Sequence, residues 1–418
     1  MTILWISNID FPEVLSLLNN GKEHKDSGGW LFGAADAISM SSDVTLVVAS
    51  VSKQVKELTY LRGKRINYYL VPYGKGNTTY NSAYEEFWRV IQKQLSPDII
   101  HIHGTEYTHG LAYVNTCGAK NVVVSVQGLV SVISRYYYAG ISLTDILRTI
   151  TVRDLFRSTL IQDKHSFEHR GKYEQTLIQK VSHVIGRTRW DKSHIWSINP
   201  KVKYYHCDEI LRPEFYDGSL WRYDKCKIHT IFLSQGTYPI KGLHIILKAM
   251  PYILSRYPNA SIRIAGADIT RSKEGFMGKM RLSGYGNYIR TLIRKYQLAD
   301  KICFLGNLTA KQMKQEYLTC NVFVLPSAIE NSPNSLAEAQ ILGTPSVASY
   351  VGGVPDFMRG VEPYIYRYDD EQMLADTICN VFENTNIKMT NVSAVRERHS
   401  SADIVRKLLD IYADIYHS

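Results

Sequence analysis

Short runs rich in β-branched and aromatic residues recur along this chain, separated by helix-length segments, and they do so in two series. The first series includes TILWIS (2–7), DVTLVVAS (43–50), INYYLVPY (66–73), DIIHIH (98–103) and NVVVSVQ (121–127). The second includes HTIFLSQ (229–235), SIRIAGAD (261–268), ICFLGN (302–307), NVFVLPS (321–327) and TPSVASY (344–350). Runs that are apolar on both faces need cover on both sides, and helix-length connections make successive strands parallel. The pattern therefore predicts an α/β chain with two Rossmann-like, doubly wound parallel sheets. A length of 418 residues agrees, since two domains of about 200 residues are its natural division. The expected partition is a first domain over 1–205, a turn-rich connection over 206–228 and a second domain over 229–399. The terminal stretch 400–418 carries Ile404, Leu408, Ile411 and Ile415 at helical spacing and is expected to return to the first domain. Two such halves facing across a cleft would hold a ligand at the carboxyl ends of both sheets.

Composition narrows the function classes. Apolar residues make up 45% and charged residues 21%, enough for two cores and too patterned for disorder. No apolar run approaches the roughly 20 residues of a membrane span. The opening MTILWISNIDFPEV lacks a basic flank and reaches Asp10 and Glu13 early, so it reads as a first strand and not a signal peptide. Six scattered cysteines without a Cys-x-x-Cys pair point away from a disulfide framework and a structural zinc site, and toward a reducing cytoplasm. A net charge of +10 suits nucleic acid, an anionic membrane surface or phosphorylated ligands.

The densest constellation is IENSPNSLAEA (329–339). Ser332 suits an N-cap, Pro333 suits the first helical position, and Gly343 closes the helix. The amides of Asn334, Ser335 and Leu336 would then offer an anion site at the positive end of the helix dipole. Asn334 and Glu338 share one helix face, and Glu338 lies about 9 Å along the axis from the cap at roughly 1.5 Å per residue. A carboxylate set back that far from a phosphate site suits sugar hydroxyls, notably those of a ribose. Glu330 precedes the cap at the end of an apolar strand and reaches a second set of hydroxyls. A capped surface helix with a solvated glutamate is the alternative for any one of these residues.

The stretch NVFVLPSAIENSPNSLAEAQILGTPSVASYVGGVPDF (321–357) resembles the donor-site signature of family 4 glycosyltransferases of the GT-B fold. The likeness extends upstream through IKGLHIILKAMPYILSRYPNASIRIAGA (240–267) and so covers most of the second domain. It is looser in the first, where DIIHIHG and the Gly28-Gly29-Trp30 loop are similar to the family pattern. The resemblance implies that Glu338 binds the ribose of a nucleotide sugar. Glu330 would contact the transferred sugar, and the groups of Asn331, Ser332, Asn334, Ser335 and Leu336 would hold phosphate or sugar oxygens. Lys241, in YPIKGL, matches the lysine that neutralises the diphosphate, a role the chemistry needs because charge builds on the leaving group. The family commonly has an arginine where this chain has Gly236, which would leave Lys241 and the helix, or Arg187 or Arg212, to balance the phosphates. Gln127, in SVQGL, stands where many relatives have a histidine; it can hydrogen-bond but cannot titrate.

Three weaker features complete the reading. The Gly28-Gly29 pair lets backbone approach a ligand closely or simply forms a flexible loop. His101 and His103 alternate on one strand face, His103 nearer the carboxyl end, where it reaches substrate or packs in the core; nothing is spaced to complete a metal site. The segment ISLTDILRTITVRDLFRSTLI (141–161) sets Arg148, Arg153 and Arg157 among apolar residues, a pattern that suits an anionic bilayer or a packed helix with solvated arginines. The expectation is a retaining, metal-independent, cytoplasmic glycosyltransferase without a cofactor. It would move a sugar from a nucleotide diphosphate donor to a glycan or lipid-linked acceptor, in surface or capsular polysaccharide assembly, with peripheral contact at the inner face of the plasma membrane. A non-hydrolysing nucleotide-sugar epimerase is a second reading. A basic nucleic-acid-binding protein is a third, disfavoured because the charge is dispersed and no recognition motif appears.

Overall fold

The computed structural model of the protein describes residues 1–18, 29–73, 79–271, 282–385 and 392–418. The chain divides into two compact units, one formed by Met1–Val132, Ser166–Arg212 and Glu397–Ser418, the other by Ile133–His165 and Pro213–Arg396.

The first unit is built on eight strands: β1 (Thr2–Ser7), β2 (Thr45–Ser52), β3 (Thr59–Arg62), β4 (Asn67–Pro72), β5 (Ile99–His103), β6 (Val122–Ser125), β7 (His183–Gly186) and β8 (Lys203–His206). Their order is β3-β4-β2-β1-β5-β6-β7-β8, parallel throughout except for the β3–β4 pair. Side chains alternate across the sheet, so Leu4 and Ile6 enter one apolar cluster while Ile3 and Trp5 enter another on the opposite face. That two-sided burial is why β1 reads as an unbroken apolar run.

The second unit holds β9 (Lys227–Leu233), β10 (Ser261–Ile264), β11 (Ile302–Phe304), β12 (Cys320–Leu325), β13 (Ser346–Ser349) and β14 (Ile365–Tyr366), in the order β11-β10-β9-β12-β13-β14. Every described pairing between these strands is parallel, and an isolated antiparallel bridge joins Gly266 to Gly306 beyond the strand ends. Among the described residues no helix is long and apolar enough to cross a membrane.

All ten strands read from the sequence are present. Four others gave no usable signal: β3 and β14 are too short or too exposed, and β7 and β8 are four-residue strands, β8 with a polar edge pattern. The partition differs from the sequence expectation in two places. Segment 133–165 clusters with the second unit because Ile141 and Ile146 enter its core. Most of the expected connection also packs there, with Trp221 donating from Nε1 to the Cys320 carbonyl at 2.8 Å.

The terminal helix (Ser401–Tyr416) is started by Ser400, whose hydroxyl accepts from the Asp403 amide, and it packs in the first unit. Ile404, Leu408, Ile411 and Ile415 are buried there together with Tyr412. The Tyr412 hydroxyl accepts from Trp5 Nε1 at 3.0 Å and lies 2.6 Å from His101 Nδ1, while His101 Nε2 lies 2.6 Å from Ser125 Oγ. Because the indole can only donate, the hydroxyl proton goes to Nδ1, and Nε2–H donates to Ser125. Burial and the Arg187 charge push His101 down to about 3, consistent with that neutral tautomer. Tyr412→Phe leaves two buried ring nitrogens short of a partner and is expected to destabilise the protein by about 1–3 kcal/mol. A denaturant midpoint lowered in that range, with unchanged far-UV circular dichroism, would bear this out; an unchanged midpoint would refute it.

Candidate functional site

In the second unit the chain runs outward from β9 through β10 to β11 and then returns to β12 on the other side of β9. The β9–β12 boundary is therefore the topological switch point, where helices leave on opposite faces and open a crevice at the carboxyl ends. Three loops meet at this edge: 234–242 after β9, 326–333 after β12 and 350–353 after β13.

Lys241 sits in the first loop and Glu330 in the second. Their side chains are only 20% and 13% exposed, and Nζ lies 2.5 Å from Glu330 Oε1, which also accepts from Ser327 Oγ at 2.8 Å. Burial alone would lower the lysine, but the Glu330 carboxylate and the Tyr238 hydroxyl hold its ammonium well above the ordinary lysine value. The cation is thus permanent, and its position is set by backbone packing. The Ala328 amide donates to the Ile240 carbonyl at 2.8 Å. Gly242 has φ +72°, and a Cβ there would stand 1.7 Å from the Pro326 carbonyl oxygen. Gly352, at φ +50°, approaches the Glu330 carbonyl so closely that a Cβ would lie 1.9 Å away, and the Gly353 amide donates to that carbonyl at 3.0 Å. Only glycine permits these approaches. At Gly236 a Cβ would meet Leu243 at 3.0 Å and Ile264 at 3.3 Å, so apolar packing has closed over this position.

The helix after Glu330 spans Asn334–Ile341. Its N-cap is Pro333 and not Ser332, a correction of one residue: the Pro333 carbonyl accepts from Leu336 at 3.0 Å and from Ala337 at 3.2 Å. Leu336 consequently has its amide engaged and its side chain fully buried, so it contributes no group to the loop. The amides of Asn334 and Ser335 are the two outside the intrahelical ladder. Asn331 and Glu338 are buried, at 4% and 5% exposure, while Ser332, Asn334 and Ser335 are half-buried. At the other end Gly343, at φ +69°, and Thr344 donate to Gln340 and Ala339, a Schellman closure. A buried Glu338 and a Glu330 that is only 13% exposed do not suit a solvated surface helix.

The first unit has its own switch point between β1 and β5. Gly28 lies outside the described residues, and Gly29 opens the helix Gly29–Ile38 that follows β1. His103 is at the β5 end, but its ring is packed 4.3 Å from Trp5 and 3.8 Å from His101 and is 7% exposed. Burial and the neighbouring His101 push it far below the usual histidine range, which favours a neutral ring packed against Trp5. Gln127 follows β6 and is half-buried. Arg187, a sequence candidate for the missing cation, is engaged elsewhere: its guanidinium pairs with Glu209 at 2.5 Å and donates to the Val126 carbonyl, just before Gln127.

Glu174 was missed from the sequence. Fully buried in the helix Leu160–Lys180, its carboxylate accepts from the Val130 and Ser131 amides at 3.0 and 2.9 Å, from Ser131 Oγ at 2.5 Å and from Thr105 Oγ1 at 2.6 Å. It ties the loops after β5 and β6 together around Gln127. A glutamate on the same helical stripe as Gly171, Leu177 and Ile178 was the available signal. Burial raises its carboxyl and the four donors pull it back, leaving it at about 7. The folded value exceeds the unfolded value of about 4.3, so the native state binds the extra proton and stability falls as pH rises between them. Glu174→Gln is expected to flatten that slope, gaining roughly 1–3 kcal/mol relative to the parent between about pH 5 and pH 8. Urea midpoints at both values provide the check, and parallel slopes would exclude it.

Residues 225–397 match the family model described as glycosyl transferases group 1. An uncharacterized glycosyltransferase of Methanocaldococcus jannaschii is 28% identical over 266 residues, 59% of this chain and 62% of that one. A putative colanic acid biosynthesis glycosyltransferase of Salmonella typhimurium is 31% identical over 145 residues, 32% of this chain and 31% of the relative. The chain thus spans less than two thirds of the length of these curated relatives. Among solved structures, sucrose-phosphate synthase from Thermosynechococcus elongatus superposes with a TM-score of 0.70 at 15% identity, covering 100% of this chain and 99% of that one. Anabaena HepE, in complex with UDP-glucose, does so with a TM-score of 0.64 at 14% identity, covering 99% of this chain and 100% of its own. The architecture is the GT-B fold, and residues 225–397 are similar to the group 1 glycosyltransferases.

Proposed function

We propose that this chain is a retaining glycosyltransferase that moves a sugar from a nucleotide diphosphate donor to a hydroxyl of a glycan or lipid-linked acceptor, in surface polysaccharide synthesis. The observation that carries the reading is the Lys241–Glu330 pair at the β9–β12 switch point, directly before a helix start. A diphosphate placed there meets a permanent cation and the first amides of helix 334–341, both of which stabilise charge that grows on the leaving group. The reaction then calls on no metal. Glu330, released in part from Lys241 by the incoming phosphates, accepts hydrogen bonds from hydroxyls of the transferred sugar. Glu338, one turn into the helix, accepts them from the ribose. No carboxylate is assigned as nucleophile, so the acceptor attacks on the face the phosphate leaves. A departing phosphate oxygen takes the acceptor proton, which preserves the anomeric configuration. The sugar-nucleotide complex of Anabaena HepE and the colanic acid relative support the donor class and the polysaccharide setting.

Calorimetric titration with UDP and GDP, followed by transfer assays with their sugars, tests this. Glu338→Ala is expected to weaken nucleoside diphosphate binding about 10–100-fold, the value of lost hydrogen bonds to a charged acceptor. Lys241→Ala is expected to lower kcat about 10²–10³-fold. Glu330→Gln should depress transfer while leaving nucleoside diphosphate affinity within a few-fold. If no nucleotide binds at millimolar concentration, or if Glu338→Ala leaves affinity unchanged, the donor assignment fails. Epimerised donor appearing without any acceptor would assign the chain to epimerase chemistry instead.

A further inference from the structure

We infer that residues 136–157 form a preformed docking platform for an anionic lipid surface. The inference extends the reading of a lipid-linked acceptor by naming the surface on which the chain works. Segment 133–165 is anchored to the second unit by its inward side. Ile141 and Ile146 are 5% and 2% exposed within the core that contains Leu243 and Tyr285. The Ala139 carbonyl accepts from His244 Nε2 at 2.8 Å, and the Thr149 carbonyl accepts from Asn287 Nδ2 at 3.2 Å. Thr151 Oγ1 donates to the Leu282 carbonyl at 2.6 Å. These bonds fix the backbone of the two short helices Leu143–Arg148 and Val152–Phe156.

The outward side has the opposite character from what a water-facing surface needs. Leu143 and Leu147, four apart on the first helix, are each 58% exposed; Leu155 and Phe156 on the second are 75% and 70% exposed. With Val152 they make five exposed large apolar side chains within 14 residues, where single scattered ones are the norm. The charges around them are sorted by sign. Arg148 and Arg157 are exposed at the helix ends. The acids are turned to local work: Asp154 is buried and accepts from the Thr151 amide at 2.9 Å, and Asp145 accepts from Ser142 Oγ at 2.8 Å. Arg135 and the half-exposed Tyr136 extend the same composition upstream. Exposed leucine and phenylalanine flanked by arginine, with carboxylates withdrawn, matches an interface whose headgroups are anionic and whose interior is apolar. A net charge of +10 adds attraction toward such a surface.

Flotation of the full chain with vesicles of phosphatidylcholine, alone or mixed with phosphatidylglycerol, tests the inference without acceptor or donor. The chain should float with the mixed vesicles and not with phosphatidylcholine alone. The Leu155→Glu/Phe156→Glu and Arg148→Glu/Arg157→Glu variants should each lose at least about tenfold in partitioning. Circular dichroism and nucleoside diphosphate affinity should stay at parental values in both, which separates a failure here from a failure of the donor assignment. Absence of flotation on anionic vesicles overturns the inference, as does undiminished flotation of the Leu155→Glu/Phe156→Glu variant. It is also overturned by a dimer in light scattering that Phe156→Glu dissociates, since that assigns the face to a second copy.

Discussion

Parallel strands buried on both faces leave one place for chemistry. Helices cover both sides of each sheet, and the strand interiors 3–6 and 322–325 carry only buried hydrophobic residues. Polar groups must enter where strands end, and they concentrate where the connections reverse direction. In the second unit that rule brings Lys241, Glu330 and the helix start at Asn334 to adjacent strand ends. The pair of Lys241 and Glu330 is then held by close backbone approaches at Gly242 and Gly352, and not by the flexibility of either side chain. A cation fixed in this way stands in place without side-chain reorganisation.

Buried polar networks hold the corresponding edge of the first unit. Glu174 gathers four donors from two loops, and Arg187 joins Glu209 to the carbonyl that precedes Gln127. Removing either partner of such a contact is costly, because it leaves a polar group orphaned in low dielectric. The Trp5–Tyr412–His101–Ser125 chain does the same for the terminal helix, and its direction follows from the indole being a donor only. These networks are single-solution arrangements, which is why they position loops that apolar packing alone would leave loosely defined.

Legibility in the sequence follows from locality. Strands such as TILWIS and NVFVLPS announce themselves because two-sided burial demands consecutive apolar residues. The terminal helix is equally readable from Ile404, Leu408, Ile411 and Ile415. Edge strands β3 and β8 carry no such demand, and β14, though buried, is only two residues long. Within the candidate site, Glu330, Glu338 and Lys241 could be singled out because the resemblance spans the stretches that carry them. The cap was placed one residue early because Ser332 and Pro333 are each good at the position next to the one they occupy. His103 was ambiguous from its place on the strand, and its packing against Trp5 and His101 is a contact no local pattern encodes.

By itself the sequence determined the number and kind of layers and the position of the loop that follows the NVFVLPS strand, because strand burial and helix periodicity are properties of neighbouring residues. The tertiary structure alone decided which unit segment 133–165 joins, what Arg187 and Glu174 hold, and that Gly236 is walled in by Leu243 and Ile264. It also decided which side of ISLTDILRTITVRDLF faces outward, since the apolar pattern there is the same whether its leucines are buried or bare. Contacts between residues far apart in the chain depend on how elements pack, and no local pattern encodes that choice.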